Sequence, residues 1–143
     1  MVGGLNIRPC RLEECATVLD VRKRATPNSD VFDSEERLTQ LVRSGTDLFL
    51  VAEKENRIVG AVIGGWDGWE GQIHRLAVLP ECKRQGIGRA LIEKIEQLLF
   101  ARGARRVSLL VHQGRLEALG FWDSLGGLGY MRDHRMLRYM KNV

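Results

Sequence analysis

The stretch covering residues 72–111 limits the folding choices of this chain more than any other. A strand-like run ends at Val78, and a short basic loop follows. Gly86 and Gly88 then open a helical pattern that continues to Arg102, with Ile87, Leu91, Ile95, Leu98 and Leu99 on one face. Gly103 is a good helix terminator, and residues 107–111 read as a buried strand. Strand, helix and strand in this order require a crossover, which sets two strands parallel and makes the connection right-handed.

Upstream, the pattern is different. Residues 48–52 form a compact apolar run, Glu55-Asn56 reads as a turn, and residues 58–63 continue as a second strand. Asp67-Gly68 is the clearest hairpin signal in the chain and leads into a strand over residues 72–78. Tight turns between consecutive strands make this part antiparallel. Residues 5–8, followed by Pro9, read as an edge strand. Residues 12–24 place Leu12, Ala16, Leu19 and Val21 near helical spacing. Residues 26–33 read as a loop, and Ser34 caps a helix that carries Leu38, Leu41 and Val42 and stops at Gly45. Past the crossover, residues 116–125 read as a helix, the Gly126-Gly127-Leu128-Gly129 run as a break, and residues 136–140 as a last alternating strand. The expected fold is α/β: a mixed, mostly antiparallel sheet with helices on both faces, built as a single domain over residues 1–143.

Composition narrows the class. The chain is 44% hydrophobic and 28% charged, a balance that supports a packed core at 143 residues without disulfides or a structural metal. Three cysteines at irregular spacing fit reduced thiols rather than a disulfide framework or a zinc site. Residues 1–5 show no signal-peptide pattern, and no apolar run is long enough to span a bilayer, so the expected location is cytoplasmic. A net charge of +4 suits either a mildly basic surface or an anion site, and the placement of the charges decides between them.

That placement is informative at residues 80–89. Helix N-termini carry unbonded N–H groups and partial positive charge, so first turns favour acids. Here Lys83, Arg84 and Arg89 surround the helix start, and the acids Glu93 and Glu96 come later. Such a start is unfavourable unless an anion binds there. Gly86 and Gly88 let a phosphate approach the backbone closely. The P-loop pattern is absent, and Leu91 stands where a dinucleotide fingerprint needs its third glycine.

With these residues in view, the chain resembles the GNAT (Gcn5-related N-acetyltransferase) superfamily, whose signature is Arg/Gln-x-x-Gly-x-Gly/Ala after a strand. Here it reads Lys83-Arg84-Gln85-Gly86-Ile87-Gly88 after Leu76-Ala77-Val78. The resemblance covers almost the whole chain. It is closest to small stand-alone bacterial members that share a Gly-Gly-x-Asp-Gly hairpin, here Gly64 to Gly68. It implies an N-acetyltransferase with acetyl-coenzyme A as co-substrate, its pyrophosphate on the backbone of Arg84, Gln85, Gly86, Ile87, Gly88 and Arg89. It implies that the pantetheine arm pairs with Leu76, Ala77 and Val78 like an extra strand. An N–H near Val78 would polarise the acetyl carbonyl. The amine would then attack the thioester directly.

The family's helical Asn-x-x-Ala-x-x-Phe/Leu-Tyr pattern becomes Arg115, Ala118, Phe121 and Trp122 here. Arg115 takes the position of a donor contact. Trp122 replaces the tyrosine that protonates the leaving thiolate, and an indole N–H does not ionise usefully. Tyr130 is the substitute phenol to consider. His74 is the first candidate for the base that deprotonates the amine, because its ordinary pKa of about 6.5 suits the task. Glu70 is the second. Alternation puts Gln72, His74 and Leu76 on one face ahead of any bulge near Ala77. Asp67 reads as turn-forming, while Trp66 and Trp69 line an acceptor pocket or pack over the hairpin. His112 and His134 read as structural or exposed, and Cys82 as no nucleophile.

Other functions remain open at this level. One is a GNAT-like module that binds acyl-CoA and turns over little. Another is nucleic-acid binding through Arg132, Arg135, Arg138 and Lys141, which lacks any recognition motif and reads better as a solvated face. The expected partner is a small-molecule or protein amine. No metal, nucleic acid or membrane is expected, and the state is monomer or homodimer.

Overall fold

The computed structural model describes residues 4–27 and 34–143, so most of the loop expected over residues 26–33 lies outside the described residues. The chain forms two compact units, the first ending at Leu109 and the second comprising Leu110–Val143.

The first unit is built on one five-stranded sheet. Its strands are β1 (Leu5–Pro9), β2 (Phe49–Lys54), β3 (Arg57–Trp66), β4 (Gly71–Val78) and β5 (Val107–Ser108), in the order β1-β2-β3-β4-β5. The first three pairings are antiparallel, and β4–β5 is parallel. This is the mixed sheet expected from the sequence, with β1 at an edge. Glu55 and Asn56 make the β2–β3 turn with φ of 53° and 60°, the two positive angles of a tight hairpin. At the next hairpin, the Asp67 carboxylate accepts bonds from the N–H groups of Trp69 and Glu70, both at 2.7 Å, and so closes the turn as expected.

Three helices accompany the sheet: α1 (Cys15–Ala25), α2 (Glu35–Arg43) and α3 (Ile87–Ala101). Ser34 caps α2 by accepting a bond from the Arg37 N–H at 3.1 Å, and Glu35 and Glu36 occupy the first turn. The α1 stripe differs from the expected one. Cys15, Val18, Val21 and Arg22 are buried, whereas Leu12 and Ala16 are exposed. The helix begins only at Cys15, after a 3-10 turn over Leu12–Glu14, and this changes its phase. That turn is held by Arg8, which donates to Glu14 Oε1 and Oε2 at 2.8 and 2.6 Å and to Glu53 at 3.1 Å. Glu14 also accepts the Arg11 N–H at 2.9 Å. The Arg8 hydrogen bonds hold the Glu14 carboxyl below the usual range.

Apolar residues fill both faces of the sheet. Leu50, Ala52 and Val62 lie on the α3 face with Ile87, Leu91, Ile95 and Leu99, and Phe49 and Val51 lie on the other, where α1 supplies Val18 and Val21. Glycines let α3 come close to the strands. A Cβ on Gly64 would lie 2.8 Å from Ile95 Cγ1, and one on Gly71 would lie 2.9 Å from Leu99 Cδ1. α3 therefore covers one face of the sheet and α1 the other.

The C-terminal expectations need correction. β5 has two residues, not the buried run 107–111, and Ser108 and Leu110 are exposed. In the second unit α4 spans Leu116–Asp123 and continues into a 3-10 turn over Ser124–Leu128. Gly126 and Gly127 thus continue a helical path, and the break comes at Gly129, with φ of 95°. Residues 136–140 form no strand. Their alternation offers no one-sided apolar face, since Met136 and Met140 fall on one side and Leu137 and Tyr139 on the other, and all four are exposed.

Gly64→Ala should destabilise the protein by about 1–3 kcal/mol through overpacking against Ile95. Denaturant melts of Gly64→Ala, Ile95→Ala and the pair test this. The double variant should lose less than the sum of the single losses.

Candidate functional site

β4 carries a local defect in its centre. Ala61 pairs with Ala77 and Ile63 pairs with His74, so Arg75 and Leu76 together face the single residue Val62. This is a β-bulge, and Arg75 adopts a left-handed φ of 52° to make it. The bulge breaks the alternation one step earlier than the sequence suggested. Gly60 faces α3 and is paired with Val78, so Val78 and Leu76 share that face. His74 and Gln72 lie on the opposite one. A Cβ on Gly65 would lie 3.3 Å from His74 Nε2 and 3.7 Å from Gln72 Cβ. Burial lowers the His74 pKa below its ordinary value, and the neighbouring Arg75 charge adds to the effect. The imidazole is therefore neutral near pH 7 and able to accept a proton.

The other edge of β4 is open. β5 pairs with β4 only at Gly71 and Gln72. Among the described residues, no strand lies beside the stretch from Ile73 to Val78 on that side. The pairing therefore leaves this edge without a neighbouring strand along the residues that the sequence assigned to a strand-like ligand arm.

β4 leads into the basic loop. Pro80–Cys82 forms a 3-10 turn, Arg84 takes φ of 63°, and Gly86 takes φ of 82° as the residue preceding α3. No side chain caps this helix start, and no acid occupies its first turn. Gly88 is buried, so the backbone there is closely packed from behind. The loop is tied down on one side. Glu81 accepts from Arg24 at 2.7 Å and from Arg57 at 3.3 Å, and Gln85 accepts from Lys54 at 3.0 Å. Arg89 pairs with Glu93 at 2.9 Å along the helix. The result is a fixed turn of N–H groups at the positive end of α3, suited to a phosphate or pyrophosphate.

The remaining candidates divide between the units. Glu70 is ion-paired to Arg106, the residue before β5. Trp66 is half-buried, but Trp69 is 81% exposed and does not pack over the hairpin. The second unit holds Arg115, Trp122 and Tyr130. Arg115 precedes α4, and its N–H bonds the His112 carbonyl at 3.0 Å. The His112 ring accepts the Gly114 N–H at 3.0 Å, a structural role. Tyr130 turns back onto α4, its ring 5.1 Å from that of Trp122 in an edge-on contact. Arg132 pairs with Asp123 at 2.7 Å, and Arg135 with Asp133 at 2.9 Å. Reading the sequence missed the role of Gly65 beside His74. A glycine inside a strand with no turn to make was the available signal. The described residues contain no cluster of His, Cys, Asp or Glu able to hold a metal, and no helix among them is long and apolar enough to cross a membrane.

Comparison with known proteins agrees with this geometry. The profile of the "Acetyltransferase (GNAT) family" matches residues 15–126. An acetyltransferase of Pectobacterium atrosepticum is 33% identical over 121 residues, which cover 85% of this chain and 86% of the relative. The fold matches Ard1 from Thermoplasma volcanium with a TM-score of 0.75 and 22% identity, over 86% of this chain and 82% of that one. It also matches the PaiA N-acetyltransferase from Thermoplasma acidophilum, solved in complex with coenzyme A, with a TM-score of 0.74 and 22% identity, over 84% and 87% of the two chains. The chain belongs to the GNAT acetyltransferase family. It is an acetyl-CoA-dependent acyltransferase, as its loop and strand had suggested.

The left-handed Arg84 is a local cost. Arg84→Gly should raise stability by roughly 1 kcal/mol, since left-handed backbone costs a non-glycine residue about 1–2 kcal/mol. Thermal melts in low-phosphate buffer would show the gain, accompanied by weaker anion binding.

Proposed function

We propose that this enzyme moves an acetyl group from acetyl-CoA to a primary amine by direct attack within a ternary complex, with His74 as the base. The observation that carries the proposal is the bulge at Arg75. It sets His74 on one face of β4 and Leu76 on the other, beside an edge left open by β5.

In this mechanism the pyrophosphate sits on the N–H groups of the loop from Lys83 to Arg89, and the pantetheine arm runs along Leu76, Ala77 and Val78. The missing side-chain cap and the two glycines at the start of α3 support the first placement. The unpartnered edge of β4 supports the second. A backbone N–H near Val78 polarises the acetyl carbonyl. The ammonium of the acceptor loses a proton to the neutral imidazole of His74. The freed lone pair attacks the carbonyl carbon, and as the C–S bond breaks with its electrons on sulfur the nitrogen's second proton passes through water to the thiolate. A free thiol has a pKa of about 8.5, so the thiolate is already a stable leaving group and needs neither Trp122 nor Tyr130 as its acid. Small-molecule and protein amines both fit this chemistry.

Calorimetric titration with acetyl-CoA tests the loop. Gly86→Glu should abolish binding while circular dichroism shows an intact fold, because the new carboxylate both fills and repels the phosphate site. Undiminished binding by the variant would remove the loop from the donor site.

The pH profile tests the base. With a screened amine acceptor, kcat should rise with pH through a midpoint below about 6.5, because the His74 pKa is lowered in the folded protein. His74→Gln should remove that limb and slow turnover by roughly 10²–10⁴-fold. An unchanged profile would reassign the base.

A further inference from the structure

Gly65 is a glycine without an obvious backbone reason. It lies within β3, and its φ is outside the left-handed region that favours glycine. Strand glycines weaken the strand and give it nothing to pack. Gly60 and Gly64 are explained by α3, since a Cβ on either would run into Leu91 or Ile95. Gly65 points to the other face. A Cβ there would meet His74 Nε2 at 3.3 Å and His74 Cδ2 at 3.6 Å. Hydrogen-bonded nitrogen partners sit about 2.7–3.2 Å apart. A donor on the Nε2 lone-pair axis would lie farther from Cδ2 than this, so a methyl group at Gly65 would sit beside that axis and crowd the place of a proton donor.

We propose that Gly65 is a positioning residue: its missing side chain keeps open, beside His74 Nε2, the place where the acceptor ammonium gives up its proton. This rests on the assignment of His74 as base. The proton passes from the ammonium nitrogen to Nε2 and leaves an imidazolium. The nitrogen keeps the electron pair, which forms the C–N bond as the C–S bond breaks, and its second proton passes through water to the departing sulfur. The imidazole has charged and titratable neighbours on the adjoining elements. Arg75 flanks it on β4. The buried residues of α1, which packs on β3 and β4, include Arg22 and the Cys15 thiol. On the His74 face β3 places Ile63 and Gly65, and β5 places Ser108.

The proposal separates neighbouring glycines by function. Gly64 is a packing residue and Gly65 an access residue, so alanine at each should fail differently. Diethyl pyrocarbonate, which acylates accessible imidazole nitrogens, reads the slot without any acceptor. His112 and His134 are exposed and serve as internal standards. Peptide mass spectrometry should show His74 reacting several-fold more slowly in Gly65→Ala than in wild type, with the two standards unchanged. Gly64→Ala should melt earlier and leave the His74 rate alone. In turnover assays Gly65→Ala should lower kcat by roughly 10²-fold, the lower range of a lost base, and flatten the acid limb, while the affinity for acetyl-CoA stays the same. Gly65→Ala combined with His74→Gln should be no slower than His74→Gln alone. If Gly65→Ala does not fold, carbethoxylation of His74 in the wild type, measured against the two standards, tests the slot instead: an unreactive His74 overturns the proposal. Wild-type carbethoxylation of His74 in Gly65→Ala, or a wild-type kcat and pH profile, overturns the proposal and leaves the His74 assignment standing. A wild-type pH profile in His74→Gln overturns both.

Discussion

The close approach of α3 to the sheet sets the position of almost everything else. Gly60, Gly64 and Gly71 form a bare track on one face of β3 and β4, and Ile87, Leu91, Ile95 and Leu99 lie along it. Because the helix sits directly on backbone, its axial position has little freedom. Its N-terminus is therefore fixed relative to the end of β4, and the short link from Leu79 to Gly86 has to make a sharp, strained path. The left-handed φ of Arg84 is the visible result. A packing requirement among apolar side chains thus determines where the basic loop lies.

The second determinant is the bulge at Arg75. An uninterrupted β4 would put His74 and Leu76 on the same face. The extra residue puts His74 and Leu76 on opposite faces of the strand. β5 leaves β4 after two paired residues. The strained backbone at Arg75 is maintained by the regular pairing on either side of it.

Much of this could be read from the residues. Hairpins at Glu55-Asn56 and Asp67-Gly68, the Ser34 cap, the α3 stripe and the basic glycine loop all follow from local chemistry, and the structure contains them. The misreadings have a common origin. The α1 stripe shifted because a 3-10 turn, pinned by the long-range contact of Arg8 with Glu14, changed the helix phase. Residues 107–111 and 136–140 have strand-like composition, but a strand also needs an edge to pair with, and composition does not reveal one. The bulge was invisible because its φ of 52° falls on an arginine, a residue that gives no warning of left-handed backbone. Gly65 was legible only as an unexplained glycine until the ring of His74 was seen over it.

The tethers beneath the basic loop have a consequence for energetics. Arg24, Arg57 and Lys54 hold Glu81 and Gln85 from the side of α1 and the β2–β3 turn. The loop is thus ordered by the protein's own contacts before any nucleotide arrives, and little conformational entropy is left to lose on association. On the proposed placement of the donor, capture would then need no loop closure, and the same prior ordering would favour retention of the bound molecule.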